Sequence, residues 1–422
     1  MQSKKRWYWT ALLASLIGLV AVFGTGLGTA GTATSWPEHY NAKSALLIKA
    51  FGTDKNVPKP VLAAVTRAAV PFTGAKLALA LKCWKENICD TGTNGKVTVA
   101  LADGFGENVW REVTHMEFVL GALTYPEIGK IIYTSGQNNT QKQISDFRSL
   151  IAQKVDVIVG FPDAGPAMLP SYREATKRGI IVVPYTSTPG GTAGKDFTSF
   201  VAEDLCRLGK NFASVLNTQV KSGQVVFLGG TPGNGLSKAW QGCEKPALNK
   251  SIDVVGTADT NWTRQGTAQA MSGFLSKYPK LKGISYEYAD GFLGGVQAYQ
   301  AAHEKLNVVL TLRTDEMGLF CQWKKIANPN FKIFYSQGGN FQSRIALTTG
   351  MMALSGQKMP PTVTLPMQMR QVTASTCNPN VPGQTAASTL VPLMPPSLTS
   401  GPLLPEKFCV CRPKSNAPRV LP

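Results

Sequence analysis

From residue 97 to residue 185, short runs that are apolar at almost every position alternate with stretches whose apolar residues recur three and four apart. VTVAL (97–101), IIYT (131–134), VDVIVG (155–160) and GIIVVPY (179–185) are the runs. A strand buried on both faces has no polar face to display, so such runs predict a parallel sheet clad by helices on each side. Between them, 107–120 sets Val109, Val113, Met116 and Leu120 on one stripe, the spacing of a helix packed on a sheet, and 141–152 predicts the next helix. The pattern restarts after a Gly/Thr/Pro-rich stretch, TSTPGGTAGKDFT (186–198), which reads as a crossing between two lobes. Helices are predicted at 204–216, 237–248, 263–277 and 291–304, with strands at 224–228, 252–256 and 283–288 between them. Strands at 308–312 and 332–335 and a helix at 341–355 close the series. The fold class is therefore α/β: two doubly wound parallel-sheet lobes joined by a hinge of several crossings, with a cleft between them.

The ends of the chain follow other rules. Lys4, Lys5 and Arg6 precede an apolar run from 7 to 23 and small residues up to Ala33, the layout of a secretory signal cleaved after Ala30 or Ala33. An uncleaved anchor is the rival reading, but the run breaks into Gly and Thr instead of basic stop-transfer residues. Residues 34–94 form a helical extension interrupted by Pro58, Pro60 and Pro71, and beyond Lys358 prolines crowd the chain, so regular structure is expected largely to stop there. The expected organisation is a signal (1–33), the extension (34–94), a first lobe (95–190 and 316–340), a second lobe (191–315 and 341–358) and a proline-rich tail (359–422).

Composition narrows the function. The 422 residues are 43% hydrophobic, enough for two packed cores and too few for a membrane bundle. The formal net charge is +18, yet Lys and Arg are scattered, and the one dense basic run lies in the signal. Nucleic-acid binding needs a concentrated basic face, so no nucleic-acid partner is expected. All eight cysteines follow the signal, an even number in a chain addressed to an oxidising compartment, so disulfides are expected. Cys83 with Cys89 is the best local pair, Cys206 with Cys243 a looser one, and the tail is expected to be tied to the body through Cys377, Cys409 or Cys411. No C-x-x-C appears and Cys409 and Cys411 have no neighbouring histidine, so no metal is expected.

Catalytic signatures are sparse. No G-x-S-x-G nucleophile elbow occurs, and the three histidines, His39, His115 and His303, offer few bases. The loop GGTPGNG (229–235) matches neither dinucleotide nor P-loop spacing and reads as a tight turn before a helix, so no cofactor is expected. What gathers at strand ends is rings beside amides, carboxylates and arginines: Phe105, Trp110, Trp262, Tyr288 and Phe292 with Asn108, Arg111, Asp163, Arg264, Asp290 and Gln337. Sugars need that mixture, because their C–H faces stack on rings while their hydroxyl rims both donate and accept.

The order of these motifs resembles the ribose-type (type I) family of periplasmic sugar-binding proteins, the substrate-capturing components of ABC importers, over about residues 96–357. The stretches that carry the resemblance are NVWR (108–111), Q-x-Q-I-x-D-F (141–147), VDVIVGFPD (155–163), the GIIVVPY strand, VAED (201–204), GGTPGN (229–234), YADGFLGG (288–295) and YSQ (335–337). The resemblance implies that Trp110 and Arg111 grip a ligand with Asp163 from the first lobe, and that Trp262, Arg264 and Asp290 do so from the second. It places Gln337 near the hinge and Asp315 at an acidic strand end beside the second crossing. Ala289-Asp290 stands where the family often has Asn-Asp, and Lys238 and Trp240 follow the glycine loop where it often has arginine. The extension and the tail lie outside the pattern. The expected function is a monomeric, non-enzymatic, periplasmic protein that traps a sugar or polyol between its lobes and hands it to an inner-membrane ABC permease. A ligand-binding partner of a membrane receptor is the alternative, and an enzyme of sugars on the same sheet is a third reading.

Overall fold

The structure is a computed structural model that describes residues 44–379 apart from 70, 71, 73 and 107. The signal with its cleavage positions, and Cys409 and Cys411, fall outside the described residues. Two sheets dominate. The first runs in the order Ile88–Asp90, Ile128–Ser135, Val97–Asp103, Val157–Phe161, Ile181–Pro184, parallel except for the antiparallel edge strand Ile88–Asp90. The second runs Met369–Gln371, Lys332–Ser336, Val309–Leu312, Leu281–Tyr286, Gly223–Gly229, Ile252–Asp259, parallel except for Met369–Gln371. In each sheet the lobe's first parallel strand lies between its second and third, so both lobes are doubly wound with the same topology.

Local chemistry explains the elements. Every residue of Val157–Phe161 and of Val309–Leu312 is buried, as their apolar runs predict. Helices follow strands through short turns in which a polar side chain takes the first free N–H: Asn108 accepts from Arg111 N, Asn139 from Lys142 N, Asp204 from Arg207 N and Thr263 from Gly266 N. The first core gathers Phe147, Leu150, Ile158 and Val182, and the second Phe212, Leu216, Phe227 and Trp240. Each fully buried ring or branched chain contributes roughly 1.5–3 kcal/mol.

The extension is built into the first lobe. Helix Lys59–Ala68 packs on helix Gln342–Leu354, and helix Gly74–Lys85 leads through a Cys83–Cys89 disulfide into the edge strand. Phe51 meets Phe341 edge-on with ring centroids 5.0 Å apart. Cys206–Cys243 is the second bridge, and Cys321–Cys377 the third among the described residues.

Two expectations need correction. Strand Lys332–Ser336 hydrogen-bonds to Val309–Leu312, so 316–336 belongs with the second sheet, whereas helix Gln342–Leu354 packs on helix Val109–Ala122 of the first lobe. The assignments of 316–340 and 341–358 are thus exchanged, and the second crossing is 337–341, not the segment beside Asp315. Both segments are equally apolar, and apolarity alone does not tell a chain which of two cores it joins. Regular structure also continues past Lys358: Thr362–Leu365 pairs in parallel with Phe200–Glu203, and Met369–Gln371 adds an edge to the second sheet. These short strands make the third crossing, and TVTL alternates exposed and buried as a half-buried strand does.

Candidate functional site: a closed cleft between the lobes

The carboxyl ends of both parallel sheets face one cleft, the crevice position of doubly wound sheets. A pocket with about 320 Å³ of empty space lies there, lined by Asn108, Trp110, Arg111 and Phe161 from one side and by Leu236, Trp262, Glu287, Tyr288, Arg313 and Thr314 from the other. The lobes touch across it, Phe105 meeting Trp262 edge-on with centroids 5.8 Å apart.

On the first wall Arg111 organises everything. It is 2% exposed, and its guanidinium donates to Asp103 Oδ1 at 2.9 Å and to Asp163 Oδ1 at 2.7 Å, bridging the ends of two adjacent strands. It lies 3.4 Å from the centroid of the Phe161 ring, a cation–π contact. Two carboxyls share one cation here, and burial, with Asp103 adding to it against Arg111, pushes the Asp163 carboxyl up to about 7. Trp110 places its ring against Phe161 and donates through Nε1 to Gly338 O at 3.0 Å in the second crossing.

On the second wall the organiser is Glu287. Its Oε1 accepts from Ser237 Oγ at 2.6 Å and from Trp262 Nε1 at 2.7 Å, and its Oε2 accepts from Trp240 Nε1 at 2.7 Å. Burial raises its pKa, opposed by these donors. Trp262 and Asn261 both have left-handed backbones, φ 49° and 53°. Such conformations are costly for residues with a Cβ and persist where surroundings hold them. Here Asn261 N bonds to Gly230 O at 2.9 Å, and the indole lies so close to Gly230 that a Cβ there would be 2.0 Å from Trp262 Cε2. The glycine loop is thus a turn that makes room for an indole, and Asn234 within it caps the next helix.

The remaining expected residues are spread more widely. Asn108 and Trp110, Arg111 and Trp262 line the pocket, with Asp163 behind Arg111 and Phe105 against Trp262. Arg264 and Asp290 form a two-point pair at 3.0 and 2.6 Å with the arginine half exposed, so they stand outside the lining. Gln337 is buried at the hinge, but its amide is turned to Gln368 O and to Arg370 Nε of the third crossing. Asp315 is buried outside the lining, in the electrostatic neighbourhood of Lys49 and Tyr335. Both departures come from the third crossing and the extension, which occupy that side of the hinge. Phe292 is core, packed near Phe331. His115 is fully packed within the first lobe, stacked on Tyr133 at 3.8 Å, and burial lowers its pKa to about 3, so it is a packing residue.

Phe161, Leu236, Glu287, Arg313 and Thr314 were not anticipated in the lining. The rule that found the others reaches most of them: Phe161 ends its strand, and Glu287 and Arg313 each follow a strand directly.

Comparison with known proteins agrees with this architecture. Residues 101–358 match the family described as a periplasmic binding protein domain. A xylitol-binding protein of Mycolicibacterium smegmatis is 25% identical over 188 residues, covering 43% of this chain and 53% of its own length. The ribose import binding protein RbsB of Bacillus subtilis is 24% identical over 181 residues, covering 43% of this chain and 58% of its own length. The match therefore spans little more than half of either relative. Among solved structures, the binding protein of the arabinose ABC transporter of Shewanella sp. ANA-3, bound to L-arabinofuranose, superposes with a TM-score of 0.60 at 19% identity, over 65% of this chain and 92% of that one. A Mycobacterium smegmatis protein in complex with β-D-fucofuranose does so with a TM-score of 0.59 at 19% identity, over 65% and 91%. These likenesses show the type I fold. With the family matched over most of its folded body, the chain belongs to the periplasmic binding protein domain family.

Proposed function

We propose that this protein is an exported solute-binding component that captures a neutral sugar or sugar-like polyol between its lobes and delivers it to an ABC permease in the inner membrane. The observation that carries the reading is the composition of the pocket: two indoles, a phenyl ring and a phenol beside arginines that are already ion-paired. Within the lining, Arg111 is paired with Asp103 and Asp163, and Arg313 with Glu203. Neither arginine of the lining carries an unneutralised charge toward an anion, so a phosphorylated or acidic sugar is disfavoured and a neutral polyhydroxyl compound is favoured. The pocket lining contains no His, Cys, Ser or Lys, and Glu287 is occupied by three donors, which supports binding without turnover.

Closure supplies the mechanism. A ligand touching both walls favours the state in which Phe105 meets Trp262, and a permease that recognises that state distinguishes loaded from empty protein. The test is native mass spectrometry and thermal-shift screening of the mature chain against pentoses, hexoses and polyols, with sugar phosphates, amino acids and nucleosides as controls. A neutral sugar or polyol should raise the melting temperature most. Stabilisation by the control set alone would overturn the assignment. Co-purification with a permease, as against a membrane receptor, tests delivery.

A further inference from the structure

Of the two arginines that line the pocket, Arg313 is the one with a buried terminal nitrogen that lacks a hydrogen-bond partner among the described residues. It follows strand Val309–Leu312 and is 4% exposed. Its Nε donates to Glu203 Oε1 at 2.5 Å, and its Cζ lies 5.6 Å from the centroid of the Trp110 ring on the opposite wall. Its Nη2 is buried without any hydrogen-bond partner. A guanidinium N–H buried without a partner is costly, and a site keeps one where a bound molecule completes it.

The residue is also held at both ends of its environment. Its backbone N–H donates to Tyr286 O at 3.1 Å, and its carbonyl accepts from Gly338 N at 2.8 Å. Gly338 O in turn accepts from Trp110 Nε1. A Cβ on Gly338 would fall 2.5 Å from the Arg313 carbonyl oxygen, so only glycine lets the second crossing pass this close. Glu203 ends strand Phe200–Glu203 in the first crossing. Arg313 therefore sits where the pocket meets two of the three crossings, with its side chain immobilised.

We propose that Arg313 is a specificity-determining residue whose Nη2 donates to one oxygen of the ligand, with Glu203 as the positioning residue that aims it. This deepens the sugar reading and rests on it. The ionic partner sets the charge balance, and the spare N–H selects a ligand that carries an oxygen at one position and rejects its deoxy counterpart.

The experiment is titration calorimetry of the full mature chain and three variants against D-ribose, L-arabinose, D-allose and xylitol, and against monodeoxy analogues of whichever binds. Arg313→Lys keeps a cation beside Glu203 and removes Nη2; Arg313→Met/Glu203→Met removes both partners so that no charge is orphaned; Glu203→Gln loosens the aim alone. Arg313→Lys should lose about tenfold to hundredfold in affinity for the parent sugar, the usual effect of one charged hydrogen bond. One monodeoxy analogue should bind wild type with a similar loss and bind Arg313→Lys no more weakly than wild type does. Glu203→Gln should reduce the discrimination between that pair. A purely structural role would instead weaken parent and analogues by the same factor, and that result, or unchanged affinity in a folded Arg313→Lys, overturns the inference while leaving the sugar reading intact. Failure of every neutral sugar to bind wild type overturns both.

Discussion

On one wall of the cleft a cation is held by two carboxyls; on the other a carboxyl is held by three neutral donors. The walls share strand order, and the organising residue lies in the first turn of the helix after a strand in one and directly after a strand in the other, yet their electrostatics differ. Arg111 sits flat on Phe161 between Asp103 and Asp163, a cluster with one more acid than base. A proton on Asp163 relieves the excess, so the wall can change charge. Glu287 spreads its charge over Ser237, Trp240 and Trp262, groups that do not titrate with it. The second wall is a fixed scaffold whose product is the orientation of Trp262. The first wall joins its own folding and its charge state in one ionic cluster that also lines the pocket, and the second holds Trp262 through a carboxyl bound by neutral donors.

That contrast is broken most directly at Arg111. Arg111→Met leaves two carboxyls facing each other in a buried site, and removal of one partner from a buried ionic cluster costs about 3–5 kcal/mol. Denaturant unfolding at pH 8 should show a loss in that range, with ligand binding abolished. A loss below about 1 kcal/mol would mean that the cluster is not the organiser of its wall.

The next effect is the pH dependence that Asp163 gives the first wall. Asp163 is raised to about 7 against an ordinary aspartate near 4, chiefly by burial. The folded chain therefore holds a proton between about pH 4 and 7 that the unfolded chain releases. By linkage, the contribution of Asp163 to stability falls as pH rises through that window and is constant above it, with a slope of at most about 1.4 kcal/mol per pH unit. Glu316, pushed up to about 8 by burial, adds a slope of the same sign. Unfolding free energies from pH 5 to 8 should thus decline in the wild type and decline less in Asp163→Asn. Equal slopes in the two proteins would show that Asp163 ionises as freely as an exposed acid.

How much of this was legible in the chain follows from what each residue depends on. Two lobes, their helices and the residues of the first wall were readable, because a buried parallel strand has to be apolar throughout and a residue that lines the cleft has to lie beyond its end. Arg111 and Asp163 both obey that rule. Glu287 and Arg313 obey it as well, and were passed over for Tyr288 and Asp290 beside the first and Asp315 beside the second. Gln337 stands at the hinge as expected but turns away from the pocket, and Asp315 lies outside the lining, for a different reason. Their surroundings are set by Gln368, Arg370 and the extension, segments remote in sequence that lie outside the repeating strand–helix pattern. The exchange of 316–336 with the helix Gln342–Leu354 has the same origin, since a third crossing reverses which core the chain rejoins.

The smallest effect tests the second wall as a scaffold for Trp262. In Glu287→Gln the amide oxygen can take the Oε1 position and keep Ser237 and Trp262, which leaves its NH₂ facing Trp240 Nε1–H, donor against donor. The reverse orientation would lose two acceptor bonds instead of one, so the first is preferred. Stability should fall by about 1–3 kcal/mol for the unsatisfied indole, while Trp262 stays in place and ligand affinity changes little. Glu287→Ala removes both oxygens, lets the left-handed turn at Asn261 and Trp262 relax, and should lower affinity together with stability. Measuring both quantities in both variants distinguishes a scaffold from a contact: if Glu287→Gln loses affinity as Glu287→Ala does while Trp262 fluorescence is unchanged, Glu287 itself touches the ligand, and the two walls work alike.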